Sequence, residues 1–140
     1  MKKLSYFVFG FSLFLTAISI FLFIFFNKPI EMQNFYANVT ITSGDVGVDL
    51  NNTALTYGKV HSGGSSVRFI SVSNDNPYPI IVKVSAEGDI TPLLLFDKIT
   101  IIKSGESVSI PVSANIPSDY PSASYDGNVK FKILKAFDKL

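Results

Sequence analysis

The sequence predicts an all-β domain, an antiparallel β-sandwich of about seven strands, preceded by one N-terminal transmembrane α-helix. Three observations carry this reading. An uncharged run from Leu4 to Phe26 holds eight of the 13 Phe residues. Beyond it, apolar residues recur at every second position in several short segments, the period of a half-buried strand. Between these segments Gly, Pro, Asn, Asp and Ser cluster, which is the chemistry of turns.

The helix comes first. Its 23 uncharged residues make a rod of roughly 34 Å, enough to cross a hydrocarbon core of about 30 Å with some tilt. In lipid every backbone polar group needs an internal partner, so helix is the state that fits. Ala17-Ile18-Ser19 has the small-x-small pattern of a signal-peptide cleavage site. The apolar run Ile20–Phe26 follows at once, which favours an uncleaved anchor. Lys2 and Lys3 outweigh the single Lys28 on the far flank, so the N-terminus is expected in the cytoplasm and the rest of the chain outside. The domain plan is an anchor over 1–27, a linker over 28–34 and an extracytoplasmic β-sandwich over 35–140.

The strands follow in order. Phe35, Ala37, Val39 and Ile41 alternate with Tyr36, Asn38, Thr40 and Thr42, and Val46–Leu50 repeats the pattern. In Ser66–Ser73, Val67 and Phe69 face one way and Arg68, Ile70 and Val72 the other, with Phe69 expected inside. Asn74–Pro79 is dense turn chemistry, then Ile80–Ala86 is rich in β-branched residues. Glu87-Gly88-Asp89 reads as a hairpin turn. Pro92–Phe96 and Ile99–Ile102 are apolar runs, the first expected to be a buried strand. Val108, Ile110, Val112 and Ala114 alternate with Ser107, Ser109, Pro111 and Ser113; Pro111 cannot donate to a ladder and so marks an edge or a bulge. A long loop, Asn115–Asp126, leads to a last strand over Gly127–Leu134.

Composition excludes several functions. The 140 residues carry 12 basic and 11 acidic side chains, a net charge of +1, with no Cys. Charged residues are 16% of the chain, below the roughly 25% of a soluble domain. With Lys2 and Lys3 set aside, ten basic and 11 acidic side chains remain, net −1. Nothing in that balance draws nucleic acid. Without Cys there is no disulfide, no thiolate nucleophile and no Cys-based metal site.

The stretch Leu55-Thr56-Tyr57-Gly58-Lys59-Val60-His61, a Gly63-Gly64-Ser65-Ser66 turn and a strand ending near Asn74 resembles the opening of immunoglobulin-like β-sandwich domains of the major-sperm-protein and abnormal-spindle type. Ile101–Val112 is similar to their turn-plus-strand step, and Pro117 with Tyr125–Val129 to their closing strand. The resemblance spans roughly residues 53–134 and implies a fold, not an activity. It implies no catalytic residue. Similar sandwiches stand in archaeal and bacterial envelope proteins, where an N-terminal anchor would put this chain.

Few side chains invite chemistry. His61, the single histidine, lies beside a Ser-Gly-Gly turn and is expected on an exposed loop. Asn74-Asp75-Asn76 has the oxygen density of a calcium loop, but side-chain-to-backbone bonds that shape the turn explain it better. Gly63–Ser66 lacks the Lys-Ser/Thr and the helix of a phosphate loop. Gly-x-Ser-x-Gly does not occur. Asn38-Val39-Thr40 and Asn51-Asn52-Thr53 fit the glycosylation acceptor. Lys130, Lys132 and Lys135 read as charges that keep an edge strand from pairing. Tyr120 and Tyr125, in the long loop, are the candidate partner surface, with packing beside the last strand the competing role for Tyr125.

The expected function is a non-catalytic structural or protein-interaction module of the cell envelope, held by lipid contacts of residues 4–26. An envelope protein is the expected partner; no cofactor, metal, nucleic acid or small-molecule substrate is implied. The alternative is an accessory subunit of a surface machine, such as an archaellum stator-type protein or a pilus component.

Overall fold

The computed structural model describes residues 2–26, 28–44 and 54–136. Among these residues a helix, α1 (Lys2–Phe26), precedes eight strands. Val8–Phe25 is long and apolar enough to cross a membrane, and none of that stretch is buried within the protein. Large apolar side chains therefore cover its outside, including Phe9, Phe14, Phe21 and Phe23. The Thr16 hydroxyl donates to the Ser12 carbonyl one turn back, so this polar group is satisfied within the helix.

The strands are β1 (Glu31–Thr42), β2 (Leu55–His61), β3 (Ser65–Ser73), β4 (Ile80–Gly88), β5 (Leu94–Phe96), β6 (Ile99–Ile102), β7 (Ser107–Asn115) and β8 (Ser124–Lys135). They form a five-stranded sheet in the order β2-β1-β8-β4-β6 and a three-stranded sheet in the order β3-β7-β5. Alternation sends Ala37, Val39, Ile41, Val82, Val84, Val129 and Phe131 from the large sheet, and Val72, Ile110, Val112 and Ala114 from the small one, into one core. Phe35 meets Phe131 edge-on in that core, with ring centroids 5.5 Å apart.

Two features depart from an antiparallel sandwich built of hairpins. First, β1 and β2 pair in parallel. Second, from β2 onward each strand is followed by one in the other sheet, so Glu87-Gly88-Asp89 is a corner between sheets and not a hairpin turn. At this corner the chain is forced by space. Gly88, at φ 99°, lies opposite Gly127 of β8, and a Cβ on Gly127 would stand 2.1 Å from the Glu87 carbonyl oxygen. The backbones approach because neither residue carries a side chain. Ile90 then turns inward, fully buried, ahead of a single 3-10 turn, Thr91–Leu93.

Periodicity alone misses β2. Leu55 and Tyr57 are buried and so is Val60, a spacing that breaks the period of two. The cause is a bulge: the register with β1 slips between Asn38 and Thr40, and Gly58 takes φ 71° there. Other boundaries shift for pairing reasons. β1 starts at Glu31, ahead of the alternation at Phe35, because Glu31–Asn34 continue the ladder to Lys130–Ile133. β8 starts at Ser124, because Ser124–Asp126 pair with Asn38–Thr40. The strand expected over Val46–Leu50 lies outside the described residues.

Asn74 holds the corners at the helix-proximal end. It is fully buried, and its Nδ2 donates to the carbonyls of Tyr78 and Ile102 at 2.9 and 3.1 Å. Its Oδ1 accepts from the backbone and side-chain nitrogens of Asn76. Its backbone N–H and carbonyl bond to Glu106 and Gly105. This one residue thus ties the β3–β4 corner to the end of β6 through its side chain, and to the β6–β7 corner through its backbone. The oxygen-rich Asn74-Asp75-Asn76 segment is spent on shaping a turn.

Candidate functional site

The small sheet exposes a surface of two halves. Register places Ser73 opposite Ser107 and Ser71 opposite Ser109, and both pairs hydrogen-bond through their hydroxyls. Further along the same face Phe69 lies opposite Pro111, and Val67 opposite Ser113, which in turn faces Leu95 of β5. Phe69 is 65% exposed and Leu95 63%. This corrects the expectation that Phe69 is buried. Ile70 and Val72 take the core positions of β3. Arg68 shares their side of the strand and donates from Nε to the Thr56 carbonyl at 2.8 Å, so its stem and charge are both accommodated at the sandwich margin.

Leu95 is exposed because its run does not form a full buried strand. Leu93 is buried, Leu94 and Phe96 are half-buried, and Leu95 points outward from a strand of three residues. β5 covers β7 only from Val112 to Ala114. Pro111 thus sits in the middle strand of its sheet, at the point where that strand loses one neighbour. This locally fulfils the edge position expected of it. A hollow of about 260 Å³ opens there, lined by Leu95, Phe96, Asp97, Pro111 and Ser113.

Beneath this face the two sheets are bonded to each other. Tyr57 of β2 is buried and donates from its hydroxyl to the Val112 carbonyl of β7 at 3.1 Å. Burial pushes its phenol well above the ordinary tyrosine range, with Arg68 pulling weakly the other way. The group stays a neutral donor, and its role is to clamp the sandwich below the Phe69–Pro111 row.

The other singled-out residues lie elsewhere. Tyr120 and Tyr125 are half-buried against the core, ring against ring with centroids 5.2 Å apart, and Tyr125 donates to the Pro121 carbonyl. They close the loop before β8 on itself. Asn38 lies mid-strand between β2 and β8, half-buried, with Nδ2 directed at the Tyr125 carbonyl at 3.4 Å; Asn51 lies outside the described residues. His61 ends β2, exposed, with Nδ1 3.2 Å from the Thr42 carbonyl, which is the contact of an Nδ1–H donor. Among the described residues no three His, Asp or Glu side chains gather as a metal set. The lysine stripe is corrected: β8 is the central strand of the large sheet, not an edge. Lys130 pairs with Glu87 at 2.7 Å, and the Lys135 ammonium sits 4.4 Å from the Tyr78 ring centroid.

The Val67–Phe69–Leu95 face had a sequence signal, the unalternating Pro92–Phe96 run, but its significance depends on a pairing that no local pattern reveals. No protein-family model, curated protein or solved structure matches this chain.

Proposed function

We propose that this chain is a single-pass membrane protein whose extracytoplasmic β-sandwich, of immunoglobulin-like type, is a non-catalytic module that binds an envelope protein through the apolar half of the small sheet. The observation that carries it is the exposed Val67, Phe69, Pro111 and Leu95 surface beside the hollow at the end of β5. A sandwich has no folding reason to keep Phe and Leu on its outward face, and contiguous exposed apolar surface marks an interaction site. The strand edge left open past Val112 adds backbone groups to which an extended partner segment can bond. Anchoring rests on Val8–Phe25, and orientation on the Lys2/Lys3 flank.

The test is photo-crosslinking in native membranes. A photoreactive residue in place of Phe69 or Leu95 is expected to give one discrete protein adduct, and the same residue in place of Ser85 none. Equal labelling from all three positions, or none from any, defeats the proposal. Anchoring is checked separately. The protein should stay in the membrane through a carbonate wash, and protease added to intact cells should digest the sandwich.

A further inference from the structure

The outward face of the large sheet is also divided, along the strands. Register across β1, β8, β4 and β6 sets side chains in rows. The row nearest α1 contains Leu134, Ile81 and Ile101, with Ile30 beside it through the bond from its N–H to the Ile133 carbonyl. The next contains Met32, Lys132, Lys83 and Ile99. Four of these apolar side chains stand in solvent: Met32 is 61% exposed, Ile99 60%, and Ile30 and Ile101 45% each. Neither row contains an acid. On that face of the paired strands the first acid is Glu87, two rows further out and held by Lys130. Glu31 has the opposite phase on β1 and accepts from the Gln33 amide, while Asp97 precedes β6 and lines the hollow beside β5.

This band cannot travel far from the bilayer. Phe26 ends the helix and Ile30 is already bonded to β8. Their Cα atoms are therefore separated by at most about 15 Å, four peptide steps. Lys28 lies within that tether. A short tether holds the band at high effective concentration beside the headgroups. Branched apolar side chains interleaved with lysines are the composition of surfaces that lie in a membrane interface.

From this we infer that the helix-proximal outward face of the large sheet docks on anionic headgroups of the bilayer that α1 crosses, with Lys83 and Lys132 on the phosphates and Ile99, Ile101 and Met32 among the acyl-chain necks. The inference rests on the anchoring reading above and extends it. It fixes how the sandwich is tilted, with the small sheet and its Phe69 face turned away from the lipid.

The absence of Cys makes the test direct. Full-length protein with a single fluorophore on Ile101→Cys, Ser71→Cys or Leu15→Cys is placed in vesicles containing brominated lipid, either phosphatidylglycerol or phosphatidylcholine. The Leu15 label should be quenched in both lipids, the Ile101 label strongly in the anionic one, and the Ser71 label in neither. Each of Lys83→Gln and Lys132→Gln should lower the docked-to-free ratio roughly five-fold, the attraction of one basic side chain to an anionic surface. If Leu15 is quenched while Ile101 behaves like Ser71, docking is wrong and anchoring stands. An unquenched Leu15 label overturns both. An Ile101 label shielded from lipid bromine and from aqueous iodide alike points to a second copy on the band and overturns the lipid assignment.

Discussion

The outward faces of the two sheets are made by the same alternation, yet they differ in what they carry. On the small sheet a serine ladder gives way to Phe69, Pro111 and Leu95, without a charged side chain in those rows. On the large sheet, lysines run through the middle and isoleucines gather at the end nearest the helix. The buried sets show no such contrast: both are aliphatic side chains and aromatic rings, with Arg68 bonded to the Thr56 carbonyl at the margin of the small sheet. Folding constrains what points inward, because every buried polar or oversized group costs stability. It constrains the outward faces weakly, so their composition reports what they meet.

That contrast implies that inward and corner positions govern stability while outward positions govern contacts. The largest effect is expected at the glycine corner. Gly127→Ala puts a Cβ 2.1 Å from a backbone oxygen that cannot swing away. The loss should exceed about 4 kcal/mol, at the exceptional end for a single substitution. Urea unfolding followed by circular dichroism will read it, and wild-type stability in Gly127→Ala would mean that β4 and β8 are not packed as described. Asn74→Ala comes next. It strands the buried carbonyl of Ile102 and the part-buried carbonyl of Tyr78 and amide N–H of Asn76, and about 3 kcal/mol should be lost. Calcium should change neither protein's melting temperature; a calcium-dependent rise in the wild type alone would restore the metal reading of Asn74–Asn76.

Tyr57→Phe removes only the bond to the Val112 carbonyl and keeps the ring, so about 1 kcal/mol is expected. A loss of several kcal/mol would show that the inter-sheet clamp is worth more than one hydrogen bond. The smallest effect falls on the outward face. Phe69→Ala should change stability by less than about 0.5 kcal/mol, because the ring is 65% exposed, while the crosslinked partner at Leu95 is lost. A cost above about 2 kcal/mol, the scale of a lost core side chain, would mean that Phe69 is packed and would erase the distinction between the two faces of β3.

Much of this molecule could be read along the chain. The apolar helix, the inward sets of β1 and β7, and the turn role of Asn74 all follow from neighbouring residues, because period, length and local hydrogen bonding are local physics. What the sequence could not decide was which strand lies beside which. The turn at Glu87-Gly88-Asp89 is visible as a turn, but whether it closes a hairpin or passes to the other sheet depends on Gly127, far along the chain. The same holds for the face of Phe69. Alternation separates Phe69 from Ile70 without saying which side is wet, since both are large and apolar, and a strand offers its two faces equally until a sheet covers one. Pairing decided it: β7 and the short β5 brought Pro111 and Leu95 to the same open face, and the large sheet took Ile70 and Val72 into the core. In the same way the lysines of β8 were legible as an outward stripe, but only the strand order set them at the centre of a sheet, among apolar side chains (Met32, Ile81, Ile99 and Ile101) that come from three other strands.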